Sequence, residues 1–475
     1  MAPIKDDNFL IIQPGSQFTL FSFGLNQESL ALPHYKIPTK VYLKSKDVPE
    51  EFTSKSEDES LAVYPIIKGE IVNVNALNYL LKIILKSIHK ISYIIPSNVA
   101  LTLIGSNRWS KLDIEYITHY AFESLQIGNF TILPLSLCAN FSFGSIPNSL
   151  VIDVGHEKTE ITPIIDYQVM RHLSVTVNKG SQSINKNLSE LLPELTLDQI
   201  ESLKLSPIYE ILSEEDAKNS FFGLAGIESD DKKSAEDDGI LDVAAIVTSD
   251  RNTRDLLEEK SKNKVKIEEE EETKPNSELE KNTFIDNNGN EITIGKERFQ
   301  GHNELLSSIS FNVQLCVEQI SDLRKRQECF DNVILVGATT KINGFKDSLL
   351  VTLLRDHLIA IKGHYQAQQA TNAEAAFRND GNSAANSMNK MLVGSNNETF
   401  NSYQVPKSIK YCKFPDYFPE WKKAGNFEDV SFLGGQILSK QIFGTGHGNN
   451  NGETLYLNKE SYLESGPLGI WDVSF

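Results

Sequence analysis

Two turns in this chain carry residue types that can grip a phosphate. Gly15-Ser16 lies between the apolar run Phe9–Ile12 and the apolar-rich stretch Phe18–Phe23. Gly155 follows Leu150–Val154 and precedes Thr159–Ile165. A turn of Gly and hydroxyl residues can aim backbone N–H groups and an O–H at an anion. Asp153, just before the second turn, adds a carboxylate of the kind that holds a divalent cation. The first turn has neither acid nor lysine beside it, because Gln13 precedes it and Leu20 follows it. Gly337-Ala338-Thr339, after the apolar run Val333–Val336, is a third place where backbone could approach a ligand closely. On these residues alone, each turn reads first as an ordinary glycine turn.

Other chemistries are excluded. The chain has no GxxxxGK[ST] phosphate loop, no HExxH and no GxSxG. Its nine histidines are scattered, and His156, beside Glu157, reads as an exposed loop residue. Cys138, Cys316, Cys329 and Cys412 form no CxxC pair, which excludes a zinc knuckle and a redox dithiol. They read as reduced, buried thiols of an intracellular protein.

The elements that would position the turns are legible. Phe9–Ile12 and Phe18–Phe23 predict one hairpin; Leu150–Val154 and Thr159–Ile165 predict another. Two hairpins of one design point to a duplicated α/β core. Apolar spacing predicts helices over Leu77–Ile88, Asp113–Leu125 and Phe345–Leu358. Val430–Ser439 reads as a strand and then a helix about Gly434-Gly435. The block Phe414–Trp421 reads as a loop packed on the core or as a binding edge, since aromatics favour protein interfaces.

Composition sets the frame. The 475 residues allow about two to four domains. With 46 basic and 64 acidic residues the net charge is −18, which disfavours autonomous DNA binding. The best apolar stretch, Leu80–Ile88, is broken by Lys82 and Lys86, so no membrane span is expected. Met1–Phe9 has no basic region followed by an apolar run, and so no secretory leader pattern. Ser213–Asn282 holds 21 acidic and 11 basic residues, five of them the run Glu268–Glu272. It reads as a solvated insertion, with a helix over Leu241–Val247 and Asn252–Glu259; contact with basic histone tails is the other reading. Gly363–Gln404 is low in large apolar residues and reads as a second insertion, and Gly444–Gly452 as a Gly/Asn loop.

Several segments together resemble the actin family. Ile292–Phe299 reads ITIGKERF, close to the actin segment ITIGNERF. Leu457–Pro467, through to Phe475, is similar to the actin C-terminus. Phe432–Leu438, Tyr64–Gly69 and Leu135–Ala139 resemble actin's WIGGSIL, YPIEHG and LSLYA. The resemblance implies the α/β actin-like fold, of the actin and hexokinase ATPase type: two duplicated halves, four subdomains and a nucleotide cleft between two phosphate hairpins. The implied subdomain 1 is 1–39, 66–140 and 405–475. Subdomain 2 is a shortened 40–65, which argues against filament formation. Subdomain 3 is 141–180 and 286–362. Subdomain 4 is 181–285 with the acidic insertion, and 363–404 is the low-complexity insertion.

By this resemblance Gly15, Ser16, Asp153, Gly155, Thr159, Gly337 and Thr339 are the remains of a nucleotide site. The departures are at its polar groups. Actin's metal-coordinating Asp looks to be Gln13, its phosphate-binding Lys Leu20, and its water-positioning Gln Ile132. His156 and Glu157 replace the last Asp and Gly of actin's second phosphate loop, and a cleft-facing Glu157 would repel phosphate. The expectation is weak or absent ATP binding, no metal and no hydrolysis.

Phe414–Lys423, Gly434–Phe443 and Ser206–Glu210 further resemble the fungal actin-related proteins of chromatin remodellers. That implies a nuclear scaffold of SWI/SNF- and RSC-type complexes, not an enzyme and not a membrane protein. It would pair with a second actin-related protein, clamp a helical segment of the remodelling ATPase, and meet other remodeller subunits; nucleosomes would be met only indirectly. The helix would enter a groove near Cys138, Ile437, Leu438 and Phe443. An ATP-dependent switch and a cytoskeletal or histone-binding protein are the alternatives.

Overall fold

The computed structural model describes residues 4–25, 30–45, 48–91, 93–211, 276, 279–358, 406–423, 429–444 and 455–473. The predicted helix over Leu241–Val247 and Asn252–Glu259, the acidic residues 212–275, the 363–404 segment and the 445–452 loop lie outside them.

The first half is built on a six-stranded sheet. Its order is Leu457–Asn458, Asn129–Pro134, Ala100–Gly105, Phe9–Pro14, Phe18–Phe23, Tyr35–Pro38. Phe9–Pro14 pairs antiparallel with Phe18–Phe23 and parallel with Ala100–Gly105. Its apolar run is continuous because both of its faces are covered. On one face, Val74–Ile91 buries Leu77, Leu80, Leu81, Ile84, Leu85 and Ile88, the three-and-four spacing of a helical stripe. Lys111–Glu123 packs beside it, started by Ser110, whose hydroxyl accepts from the Asp113 N–H at 3.1 Å. On the other face lie Leu135–Ser142 and Val430–Gly444, against Phe9, Ile11, Ile104 and Leu133.

The second half repeats the plan. Ser149–Val154 pairs antiparallel with Thr159–Ile165 and parallel with Val333–Val336. Gln168–Val169 and Val175–Val177 extend the sheet from Thr159–Ile165. Every residue of the Ser149–Val154 and Thr159–Ile165 strands is buried. Helices Ser181–Leu191, Asn303–Glu318 and Phe345–His357 contribute Ile184, Val313 and Leu349 to a core separate from that of the first half.

The two ends of the acidic stretch are tied at one point. Arg298, fully buried, donates Nε to Asn276 Oδ1 (2.9 Å) and Nη2 to the Asn276 carbonyl (2.6 Å). The Glu210 N–H donates to the Arg298 carbonyl, and Asn276 Nδ2 donates to the Ile208 carbonyl at 2.9 Å. Residues on both sides of the 212–275 stretch therefore meet at Arg298 and Asn276.

One expected element differs. Val430–Gly444 is a single helix, not a strand followed by a helix. The glycine pair does not turn the chain; it removes side chains where other atoms already sit. A Cβ on Gly434 would lie 1.6 Å from the Cys138 carbonyl oxygen, and one on Gly435 would lie 2.4 Å from Ile104 Cδ1. The helix thus lies with its backbone directly on that of Leu135–Ser142. Gly434→Val should cost about 3 kcal/mol or more, since neither backbone can withdraw. Urea unfolding of the purified variant, or its loss from the soluble fraction, checks this.

Candidate functional site

The two turns close in the same way. The Gly15 N–H donates to the Phe18 carbonyl and the Gly155 N–H to the Lys158 carbonyl, each at 2.9 Å. The fold brings them face to face: Gly15, Ser16, Asp153, Gly155 and Gly337 line one cavity, although they come from three distant parts of the chain. Gly337 has φ of 104°, and a Cβ there would lie 2.4 Å from the Val154 carbonyl oxygen, so only glycine fits. Thr159 and Thr339 are fully buried beside the cavity. Their hydroxyls donate to the Lys179 carbonyl (2.8 Å) and the Gly155 carbonyl (2.9 Å), so they brace the turn from behind.

The cavity is small, about 150 Å³. Small-molecule sites usually span about 300–1,000 Å³. Trp109 and Ile66 are among its walls. Several of its polar groups are committed to the protein. The Gln13 amide donates to Ser431 Oγ at 3.1 Å, tying it to the Val430–Gly444 helix. Leu20 is buried in the apolar layer with Phe9 and Ile104. Ile132 packs, partly buried, against the first-half core. The first N–H groups of the Ser181–Leu191 helix, on Ser181 and Gln182, donate to the carbonyls of Gly155 and His156. Those helix-terminal donors are therefore already satisfied.

Two readings of the second turn need correction. Glu157 does not line the cavity; its Oε2 accepts the Lys68 N–H at 2.7 Å, so the argument that it repels phosphate falls. His156 is half-buried, with Nδ1 3.1 Å from Ser181 Oγ, and burial lowers its pKa. Among the described residues no group of three His, Cys, Asp or Glu side chains could hold a metal ion. No helix among them is long and apolar enough to cross a membrane. Burial pushes the Cys329 and Cys412 thiols up to about 12, which leaves them unreactive near neutral pH.

The residues expected along a helix-binding groove divide. Cys138, Leu438 and Phe443 lie in the interior, at 0%, 5% and 1% exposure, so they can only support a groove from beneath. Ile437 is partly exposed, in a cluster with Phe143, Phe414 and Phe418. Phe414 stands edge-on to Phe143 with centroids 5.5 Å apart, and Trp421 is buried with its Nε1 donating to the Leu30 carbonyl at 2.8 Å. Much of the aromatic block is thus packed on the core, while Tyr417 stays 83% exposed.

Sequence reading passed over the residues beside the cavity. Lys158, just before the Thr159–Ile165 strand, and Glu160 within it stand at alternate positions and pair with each other. That alternation was the available signal. Ser106, which hydrogen-bonds to both, gave none.

The family model for actin matches residues 5–378 of the chain. The Schizosaccharomyces pombe protein named SWI/SNF and RSC complexes subunit arp9 is 25% identical over an alignment 557 positions long, covering 99% of each chain. The Candida albicans actin-related protein 4 is 24% identical over 32% of this chain and 36% of its own. The S. pombe protein named SWI/SNF and RSC complexes subunit arp42 is 21% identical over 40% of this chain and 44% of its own.

Asp153 gives the site a measurable property. Burial raises its pKa from 3.8 to about 6, with the Lys158 ammonium pulling the other way and the Glu160 carboxylate adding to the rise. The folded state therefore favours the protonated acid. That contribution is full below about pH 4 and is lost as pH rises through about 6. Asp153→Asn should stabilise the protein by roughly 2–3 kcal/mol at neutral pH and by almost nothing under acid conditions. Urea midpoints measured across that pH range check both the gain and its disappearance.

Proposed function

The chain belongs to the actin family, and from that we propose that it is a non-catalytic structural subunit of a SWI/SNF- and RSC-type chromatin-remodelling complex. The observation that carries the reading is the end-to-end similarity to the S. pombe arp9 subunit, over 99% of both chains. A match of that extent includes the C-terminal strand and the Val430–Gly444 helix as well as the shared hairpins.

The cleft supports the non-catalytic part. Phosphoryl transfer depends on positioned charge at the phosphates, usually a metal held by carboxylates and a cationic side chain. Here the position of the acid is Gln13, bonded to Ser431, and the position of the lysine is the buried Leu20. Ile132 cannot orient a water molecule. Asp153 keeps its acid, in a cavity of about 150 Å³. Weak or absent ATP binding follows from this reading.

In the complex the chain would pair with a second actin-related protein in the nucleus, and the pair would grip a helical segment of the remodelling ATPase. Ile437 and Phe418, both partly buried against the first-half apolar layer, are where an amphipathic helix could place its apolar face, with the exposed Tyr417 beside Phe418. The net charge of −18 fits contact with nucleosomes through other subunits more than through this one.

Purification of the tagged full chain from native extract at moderate salt tests the assignment. A remodelling ATPase and a second actin-related protein should come through in near-equal amounts. Recovery alone, or with cytoskeletal proteins, would overturn it. Ile437→Asp should reduce recovery of the ATPase about tenfold or more with melting unchanged. Leu438→Asp is no test of the groove, because it places a charge in the core.

A further inference from the structure

The two halves are joined beside the cavity by their own side chains. On the first half stand the loop Ser106–Arg108, which follows the Ala100–Gly105 strand, and the tight hairpin Ile66–Ile71. On the second stand the turn and the Thr159–Ile165 strand of the Gly155 hairpin, with Asn178 just after the Val175–Val177 strand. Six hydrogen bonds cross between them. The Glu160 carboxylate accepts from Ser106 Oγ (2.8 Å) and from the Asn107 N–H (3.2 Å). Lys158 Nζ donates to Ser106 Oγ (2.8 Å), and Asn107 Nδ2 donates to Thr162 Oγ1 (3.1 Å). Glu157 accepts the Lys68 N–H (2.7 Å), and Arg108 Nη1 donates to Asn178 Oδ1 (2.6 Å).

The network is built to hold. Lys158 and Glu160 form an ion pair with side chains only 12% and 5% exposed. In so little water a charged hydrogen bond is stronger, and an unmet one is costlier. Burial alone would raise the Glu160 carboxyl, yet its partners together hold it below its ordinary value. The Lys158 stem lies over Gly69, where a Cβ would come within 2.6 Å of its carbons, so the hairpin turn is shaped to receive it. Arg108 also pairs with Glu70 and donates to the Lys68 carbonyl, which braces that turn against the Ser106–Arg108 loop.

We propose that this latch, and not a bound ligand, keeps the two halves closed, so that the cleft holds one geometry whatever the nucleotide supply. A ligand in the cavity would have to bridge the same two halves, and the protein already supplies that bridge. The proposal stands apart from the remodeller assignment, since it concerns the chain by itself.

Hydrogen exchange on the full-length protein reads it directly, because two of the six donors are the backbone amides of Lys68 and Asn107. In the nucleotide-free wild type both should exchange slowly, and millimolar Mg·ATP should not change their rates. Glu160→Ala should speed exchange at Asn107 about tenfold or more (about 1.4 kcal/mol of opening) while Ile12 and Ile152, inside the two sheets, keep their protection. Glu157→Ala alters a side chain at the surface turn and leaves both cores intact, so it serves even where Glu160→Ala fails to fold. It should speed exchange at Lys68 to a similar extent. The proposal is wrong if protection at these two amides appears only with Mg·ATP. It is equally wrong if Glu157→Ala leaves Lys68 exchanging as in the wild type.

Discussion

The helix Leu135–Ser142 has almost no surface of its own. Leu137 and Cys138 face the first-half layer with Phe432 and Leu433, while Ala139 packs with Val151, Ile334 and Val336 of the second sheet. It is shared by apolar layers of both halves, which Val169 of the Gln168–Val169 strand also touches. Its small residues let that happen, and Gly434 completes the arrangement by letting a second helix rest on the Cys138 carbonyl. Close-packed backbone of this kind is poorly compressible. The angle between the halves is thus constrained at the helix as well as across the mouth of the cleft, and the small cavity between the hairpins is a consequence of both.

What local sequence pattern could specify, it did. The strands Phe18–Phe23 and Thr159–Ile165 have the bounds their apolar runs indicate, and Phe345–His357 ends within a residue of its expected limit. Such elements follow from periodicity, which is local. The site depended on contacts that are not. Gln13 meets Ser431 418 positions away, and nothing near either residue marks the other as its partner. Glu157 looked like a cleft residue because it sits in the turn, but the Lys68 N–H lies on the opposite half and takes it outward. The Gly434-Gly435 pair misled for a related reason. Glycines in sequence usually signal a turn, and here they record a close approach that only the tertiary structure reveals.

The cleft and the outer surface show different degrees of commitment. Around the cavity Gln13, Ser106, His156 and Lys158 are bonded to other parts of the chain. Asp153 stands among them as a buried acid whose ionisation the fold opposes. Ile437 and Phe418 are partly buried against an apolar layer, and Tyr417, beside Phe418, stands out into solvent. A protein that works by being held, and not by turning over a substrate, would distribute its polar and apolar groups in this way. Its interior would be settled and its binding energy would lie at the rim.

The junction at Arg298 has a consequence for how the chain can change length. The residues that flank the 212–275 stretch are fastened to one another through Asn276, Glu210 and Arg298, so the sheets do not depend on what runs between them for their relative placement. The free-energy cost of closing a longer excursion grows only with the logarithm of its length. The fold therefore contains a permissive port, a place where sequence can be gained, lost or exchanged for a foreign domain while the architecture on either side is left as it was.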